Sequence, residues 1–396
     1  MKDIFDLIVI GAGASGLFSS IVAAQRGKKV IVLEKNDTPG KKLLATGNGK
    51  CNFTNTVWND DSLRGDKEFA YDVYKEFDYK QTIEYFHRIG VHCYNKNGYC
   101  YPYSRQAKAV CDCLLHRLYK LGVKINLNVN VKGINKCNNV FKVTALTEGK
   151  EEVYYTNNVI LATGGKSYKS LGSDGSGYEI AKRVGHKITK LYPALVKLHV
   201  KENIKILEGV RTIADVKLAI ADTEYTSSGE IIFGKDSVSG IPIFEISRYA
   251  SIALYEKKEV SIYVDLFPNM EIGELEDVIS VRKETISNKT YRLLIGLVND
   301  KMATYLSNNK ENEDTSILAG NLKRLRFDVS KAGEFDIAQV TAGGVDTKEI
   351  NSITMESKLV KGLYFVGEIV NVDGTCGGYN LQWAWSSAYV AGNSIQ

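Results

Sequence analysis

The sequence predicts an α/β fold in which a parallel-sheet domain is split by an inserted β-rich, barrel-like domain that carries a small helical subdomain. Three observations carry this. Short uncharged apolar runs at residues 7–10, 30–33, 159–162 and 363–366 read as strands buried on both faces, most of them stopped by glycines. From about residue 192 to 264 the pattern changes to short alternating strands, which suits an antiparallel sheet or small barrel. Residues 271–307 are mostly polar with helical apolar spacing, as at Leu275, Val278 and Ile279. The expected division is 1–190 with 331–396, then 191–265 with 308–330, with 266–307 as the helical insertion.

The first element is the stretch DLIVIGAGASGLFSSIVAAQRGKKVIVLE at residues 6–34. A buried strand leads into Gly11-Ala-Gly13-Ala14-Ser15-Gly16, an apolar helix follows, and a second strand ends at Glu34. This is a Rossmann-type βαβ unit. Gly11 permits the tight turn, Gly13 lets the backbone approach a pyrophosphate, and Gly16 lets the helix pack close to the strand. The helix N-terminus offers N–H groups and a positive dipole end to phosphates, and Glu34 falls where an acid accepts hydrogen bonds from an adenosine ribose. A secretory or membrane segment is excluded by the Gly, Ser and Ala content and by Asp3 and Asp6 just upstream.

With 396 residues, 44% hydrophobic and 24% charged, the chain has the composition of a soluble protein of two or three domains. The formal charge of +5 is dispersed, which suits an anionic cofactor and argues against a nucleic-acid partner. Seven irregularly spaced cysteines and no export signal point to a reducing, cytoplasmic setting. No apolar run spans a bilayer, so no membrane association is expected. Five scattered histidines make no metal constellation.

After Glu34, the loop KNDTPGKKLLATGNGKCNFTN at 35–55 is basic and glycine-bearing, placed to wrap the same cofactor. Helical spacing follows at 69–77 and 81–89, then a hairpin turn at 94–99 and a helix at 105–121. Strands at 123–131, 140–145 and 153–155 form a three-stranded excursion. The strand at 159–162 stops at Thr163-Gly164-Gly165, and glycines at 172–177 lead into another short helix. In the inserted region, strands are expected at 195–200, 216–220, 230–233 and 260–264, and a helix at 315–327. This region is expected to carry the substrate contacts. The chain then returns to α/β, with a strand and glycine turn at 338–345, Gly367-Glu368 after the strand at 363–366, and NVDGTCGGYN at 371–380 before an apolar helix bearing Trp383 and Trp385.

The fingerprint, the KKLLATGNGKCNFTN loop, ILATGG at 160–165, AQVTAGGV at 338–345 and GLYFVGEIVNVDGTCGGYNLQWAWSSAYVAG at 362–392 occur in one order. This series resembles the bacterial FAD-dependent family that includes aminoacetone oxidase and bile-acid 3-dehydro-Δ4,6-reductase proteins. That family belongs to the two-dinucleotide-binding-domain flavoproteins, related to fumarate reductase flavoprotein subunits. The resemblance implies an FAD-binding domain with an inserted β-rich domain, interrupted by a helical one. By position it implies that Gly11, Gly13, Ala14, Ser15 and Gly16 hold the pyrophosphate, and that Glu34 and Lys35 meet the adenosine end. Lys41, Lys42, Gly47 and Asn48 lie along the diphosphate and flavin, and Val131 contacts adenine through its backbone. Thr163 and Gly164 line the cofactor, and Glu368, after Gly367, meets the ribityl chain. Gly378, Tyr379, Asn380 and Leu381 place backbone N–H groups beside the flavin ring, where they stabilise negative charge on its reduced form.

The expected function is therefore an FAD oxidoreductase that moves a hydride between flavin and a small organic substrate. With no second complete fingerprint, NAD(P)H is expected only as a transient donor. Reduction of an enone or steroid-like double bond leads, and a flavin amine oxidase using oxygen is the alternative. A flavin-dependent RNA-modifying enzyme would need a coherent basic face with aromatic platforms, which the sequence does not display. A non-catalytic flavin-binding module would hold FAD that no donor reduces. Tyr379, Lys166, Tyr168 and His199 are the candidate proton donors. A dithiol centre would require Cys51 and Cys376 to meet across two loops, and His186, after Gly185, is expected to partner a helix dipole.

Overall fold

The computed structural model describes residues 4–396. Two compact units form, one from residues up to Leu191 together with Val340–Gln396, the other from Tyr192–Gln339. Residues 331–339 thus belong with the inserted unit and not, as expected from the sequence, with the first.

The first unit begins with β1 (Ile4–Ile10), α1 (Ala14–Gln25) and β2 (Val30–Leu33). The two strands pair in parallel from Leu7↔Val30 to Ile10↔Leu33. Helices cover both faces of such a strand, which is why these runs show no polar alternation. Next come α2 (Lys41–Ala45), β3 (Thr54–Asn55), β4 (Leu63–Gly65), α3 (Lys67–Glu76), α4 (Tyr79–Arg88), β5 (Cys93–Lys96), β6 (Tyr99–Pro102) and α5 (Ala107–Lys120). Asp66 caps α3, and Asp78 with Gln81 forms a capping box on α4. Strands β7 (Lys124–Asn126), β8 (Val129–Cys137), β9 (Val140–Thr147) and β10 (Lys150–Leu161) follow, then α6 (Ser176–Arg183).

The main sheet has seven strands in the order β7-β2-β1-β10-β9-β8, with a further C-terminal strand also pairing β10. Two runs expected as separate strands are one. β10 is antiparallel to β9 over residues 150–156 and parallel to β1 as far as Leu161. The polar segment TNN at 156–158 hid this continuity. Its side chains are spent on backbone bonds, with Thr156 Oγ1 donating to Phe5 O and Asn158 Nδ2 to Asp6 O.

In the second unit, β11 (Tyr192–Ala194), β12 (Leu198–Val200), β13 (Arg211–Ile220), β14 (Thr223–Phe233), β15 (Ser237–Gly240), α7 (Ile241–Tyr255) and β16 (Ser261–Asp265) precede four helices. These are α8 (Ile272–Thr285), α9 (Thr290–Leu294), α10 (Asp300–Ser307) and α11 (Thr315–Lys323), and β17 (Leu325–Ala332) follows them. Strands β12-β15-β14-β13-β16-β17 close into a barrel. Alternate residues fill its interior, among them Val216, Leu218, Ile231, Ile262, Val264 and Phe327. The expected helix at 315–327 ends at Lys323. Leu325, Phe327 and Val329 alternate with more exposed neighbours and belong to β17. The sequence reading also missed α7, although Pro242 at its first turn and buried Ile243, Ile246, Ala250 and Ala253 mark a helix.

The chain returns to the first unit with β18 (Val340–Ala342), β19 (Leu363–Phe365), β20 (Val372–Gly374) and α12 (Tyr379–Ser394). β19 pairs in parallel with β10. α12 packs against α1 so closely that a Cβ on Gly392 would come within 2.7 Å of Val22 Cβ. Both ends of the polypeptide therefore build one core. Among the described residues, no helix is long and apolar enough to cross a membrane.

Candidate functional site

The fingerprint loop is built by three different glycine requirements. Gly11 has φ +104°, and a Cβ there would lie 2.5 Å from Ala162 O. At Gly16 a Cβ would lie 1.9 Å from Gly11 O, so α1 can approach β1 only without one. Gly13 has ordinary extended backbone, φ −78°, and a Cβ there would meet nothing within 4 Å. Its side-chain direction is open space at the N-terminus of α1.

Glu34 is buried and holds this turn in shape. Its Oε2 accepts from Ala12 N–H at 2.6 Å, and its Oε1 accepts from Asn36 N–H and Asn36 Nδ2 at 2.8 and 2.7 Å. The loop after β2 closes on the fingerprint through Gly40 N–H to Ala12 O, 2.8 Å. Val129 N–H donates to Glu34 O, which sets the start of β8, and Val131 lies two residues on, just before a bulge. Lys35 pairs with Asp174 at 2.7 Å. Burial pushes against ionisation of Asp174, but Lys35 and the Ser176 N–H prevail and hold its pKa down at about 2.

The C-terminal motifs reach the same place. A Cβ on Gly367 would collide with Ser15 Oγ at 2.6 Å, and Ser15 Oγ donates to Val366 O at 3.5 Å. Glu368 Oε2 takes the ammonium of Lys42 at 2.7 Å, and its Oε1 accepts from Thr341 N–H at 2.8 Å. Lys41 turns outward to Asp37. Gly47 and Asn48 sit in an exposed left-handed run, φ +56° and +52°. α12 acts as a clamp. Trp383 Nε1 donates to Gly367 O, Gly367 N–H donates to Ser387 Oγ, Trp385 Nε1 donates to Phe53 O, and Asn380 brackets Gly374 through both its amide atoms.

Four helix N-termini of this unit, those of α1, α2, α6 and α12, begin after glycine with no side-chain cap. α3 and α4, built elsewhere in the same unit, are capped by aspartates. Uncapped first-turn N–H groups are left for a ligand to satisfy. Of the buried side-chain oxygens that lack a protein partner, Thr163 Oγ1 and Asn52 Oδ1 belong to the motifs gathered here. Thr163 was expected from the sequence. Asn52 was missed, although it stands in the same GNGKCN run as Asn48. The open space at Gly13, the uncapped N-termini and the two unpartnered oxygens together fit a long polar cofactor bearing a diphosphate.

The HI0933-like protein Rossmann-domain family matches residues 5–394. This chain belongs to that family. The 3-dehydro-bile acid delta(4,6)-reductase of Clostridium scindens is 38% identical over 98% of each chain. A ribosomal RNA dihydrouridine synthase of Haemophilus influenzae is 30% identical, covering 100% of this chain and 99% of the relative. The 3-ketosteroid delta1-dehydrogenase structure from Sterolibacterium denitrificans shares the fold with a TM-score of 0.54 at 12% identity, covering 100% of this chain and 99% of that one. The chain is thus an FAD-dependent oxidoreductase.

The candidate proton donors fare differently. Tyr379 Oη donates to Val57 O at 2.6 Å, and its ring meets Trp58 edge-on, so its hydroxyl is spent on the loop. Lys166 is exposed, and its backbone N–H donates to Thr341 Oγ1. Tyr168 sits at φ +62°, a left-handed conformation that a bulky residue adopts only under constraint. His199, on β12 of the other unit, pairs with Asp236 at 3.1 Å. His186 is buried between Ser357 and Glu349, and burial lowers its pKa despite the glutamate. Burial thus favours the neutral imidazole.

All seven cysteines are free thiols, Cys51 buried and Cys376 half-buried. Burial pushes the Cys51 thiol up to about 12, against a hydrogen bond with Thr46, so it packs and does not react. Cys93 is the opposite case. It is half-buried on β5, with His87 Nε2 3.9 Å away, and the neighbouring Cys100 thiol donates to Gly98 O. Cys100 lowers it to about 6, burial opposing and His87 assisting. Iodoacetamide at neutral pH should alkylate Cys93 first, with a rate that climbs through about pH 6 and levels off above it, while Cys51 stays unmodified in the folded protein. Peptide mass mapping reads both, and early labelling of Cys51 would refute the assignment.

Proposed function

We propose that this protein reduces a carbon–carbon double bond conjugated to a carbonyl, with NAD(P)H as a transient electron donor. The observation that carries the reading is the full-length likeness to a relative named as a delta(4,6)-reductase, combined with a site that offers uncapped backbone N–H groups. When bound, FAD supplies the site that accepts and returns the hydride. The chain's residues do the rest. The N-terminus of α1, with Gly11, Gly13, Ala14, Ser15 and Gly16, receives the pyrophosphate. Glu34 and Lys35 face the adenosine end, with the Val131 backbone at adenine. Lys42 and Glu368 together form a neutral polar pair along the ribityl chain, with Thr163 and Asn52 as further partners. The first N–H groups of α12, from Tyr379 to Leu381, favour negative charge at the ring edge near them.

The substrate's β-carbon gains a hydride and its α-carbon a proton, so NAD(P)H is oxidised as the alkene is saturated. The Tyr379 hydroxyl already donates to Val57 O, which argues against it as the proton source. Lys166 and Tyr168 remain the candidates from this chain. A second reading keeps the chemistry and changes the substrate. In uridine the C5=C6 bond is conjugated to the C4 carbonyl, and relatives named as ribosomal RNA dihydrouridine synthases align over the whole chain. The specific observation that favours it is a cluster of surface tyrosines on β5 and β6, described below.

The yellow protein should bleach anaerobically with NADH or NADPH and regain colour on addition of a 3-oxo-4-ene steroid or of RNA lacking dihydrouridine, with one double bond saturated per turnover. Bleaching by an amine instead, with reoxidation by oxygen and peroxide release, would replace this reading with the oxidase.

A further inference from the structure

Strands β3, β6 and β5 form a small antiparallel sheet in that order. The register pairs Tyr94 with Tyr101 and Lys96 with Tyr99, so these four lie on one face, while Cys93, Cys100 and Pro102 lie on the other. Tyr103 N–H bonds to His92 O and continues the alternation, which brings Tyr103 to the tyrosine side. The Tyr94 ring is 5.9 Å from Tyr101 with an interplanar angle of 25°, and 5.8 Å from Tyr103. The Arg105 guanidinium stands 5.4 Å from the Tyr94 centroid. Tyr103 is 69% exposed. At its inner edge the face touches the motif before α12. Tyr99 Cε1 would lie 3.2 Å from a Cβ on Gly377, and Tyr101 senses the charge of Cys376.

Charge is segregated here too. Residues 85–111 contain no Asp or Glu; Arg88 and Lys108 pair with Glu84 and Asp112 just outside the stretch, which leaves Lys96 and Arg105 as the cations beside the tyrosines. With 46 acids in 396 residues, about three would be expected in that length. Aromatic rings in series with cations at the rim are what stacked bases with phosphates between them require. A steroid-like molecule would want an aliphatic surface. A dinucleotide has too few bases to occupy four tyrosines.

We propose that this face binds single-stranded RNA, with successive bases stacked on Tyr103, Tyr94 and Tyr101 and phosphates held by Arg105 and Lys96, the strand running inward to the turn at Gly377. It rests on the second reading of the site, in which the reduced double bond belongs to uridine.

The test uses the FAD-loaded protein and a fluorescein-labelled oligouridylate of about a dozen nucleotides, enough to cover such a site. Anisotropy should show binding that weakens with salt. Tyr103→Ala should bind about tenfold more weakly, whereas Tyr103→Phe, which keeps the ring, should bind as the parent does. Arg105→Gln should weaken binding and flatten the salt slope by about one unit. FAD content, read by absorbance, reports that each variant is folded. Absence of binding, equal affinity of the alanine and phenylalanine variants, or displacement of the strand by NADPH would overturn the proposal. If the strand binds as described but the NAD(P)H-reduced protein leaves its uridines unsaturated, the surface stands and the uridine reading of the site falls.

Discussion

Gly13→Val is expected to give a protein that folds and melts like cofactor-free parent protein yet is purified colourless. Gly16→Ala is expected to fail earlier, at folding itself. The contrast follows from two glycines three residues apart. At Gly16 an added methyl would sit 1.9 Å from Gly11 O, inside the covalent scaffold of the turn, so α1 must move off β1. Backbone displacement in a packed core costs at least as much as overpacking, about 1–3 kcal/mol and often more. At Gly13 the backbone is ordinary and the methyl position is empty, so the apoprotein does not register the change. The valine would instead occupy the space a pyrophosphate needs against the N-terminus of α1. FAD absorbance at purification and a melting curve of each apoprotein measure the two effects separately. A yellow Gly13→Val protein would remove the phosphate from this turn.

What the sequence made legible was whatever depends on near neighbours. The βαβ unit could be read because its glycines, apolar runs and Glu34 all fall within 29 residues, 6–34. The hairpin at Asn97-Gly98 was equally local, both residues taking positive φ as a tight two-residue turn requires. Elements whose character depends on distant partners were misread. β17 looks helical until its pairing with β16 and β12 is known, and β10 looks like two strands until Thr156 and Asn158 find their backbone acceptors. The site shows the same division. Thr163 was anticipated from its motif, whereas the bond of Tyr379 to Val57, 322 residues away, was not visible in either segment. The tyrosine face was written plainly as a two-residue period, Tyr99, Tyr101 and Tyr103, opposite Tyr94. The net charge of the whole chain conceals it, because a single total does not show a 27-residue stretch without an acid.

Glu34 separates two accounts of the acid that ends β2. If it serves only to accept ribose hydroxyls, Glu34→Ala weakens FAD binding and leaves the apoprotein as stable as before. The geometry demands more. The carboxylate is buried and already accepts from three donors, Ala12 N–H, Asn36 N–H and Asn36 Nδ2, and in doing so it joins the fingerprint turn to the loop that follows β2. Removing it strands two backbone donors where the fold has no substitute acceptor. Each buried unsatisfied group costs about 1–3 kcal/mol, so a loss of about 2–5 kcal/mol is expected in the absence of any cofactor. Glu34→Gln keeps the volume but turns one end into a donor facing the Ala12 or Asn36 N–H, so it should recover only part of this. Denaturant unfolding of the three apoproteins decides the matter. Equal midpoints would show that the acid acts only on the ribose. A graded order, parent above Glu34→Gln above Glu34→Ala, with FAD affinity falling in step, would show that the same carboxylate shapes the phosphate turn before the cofactor arrives.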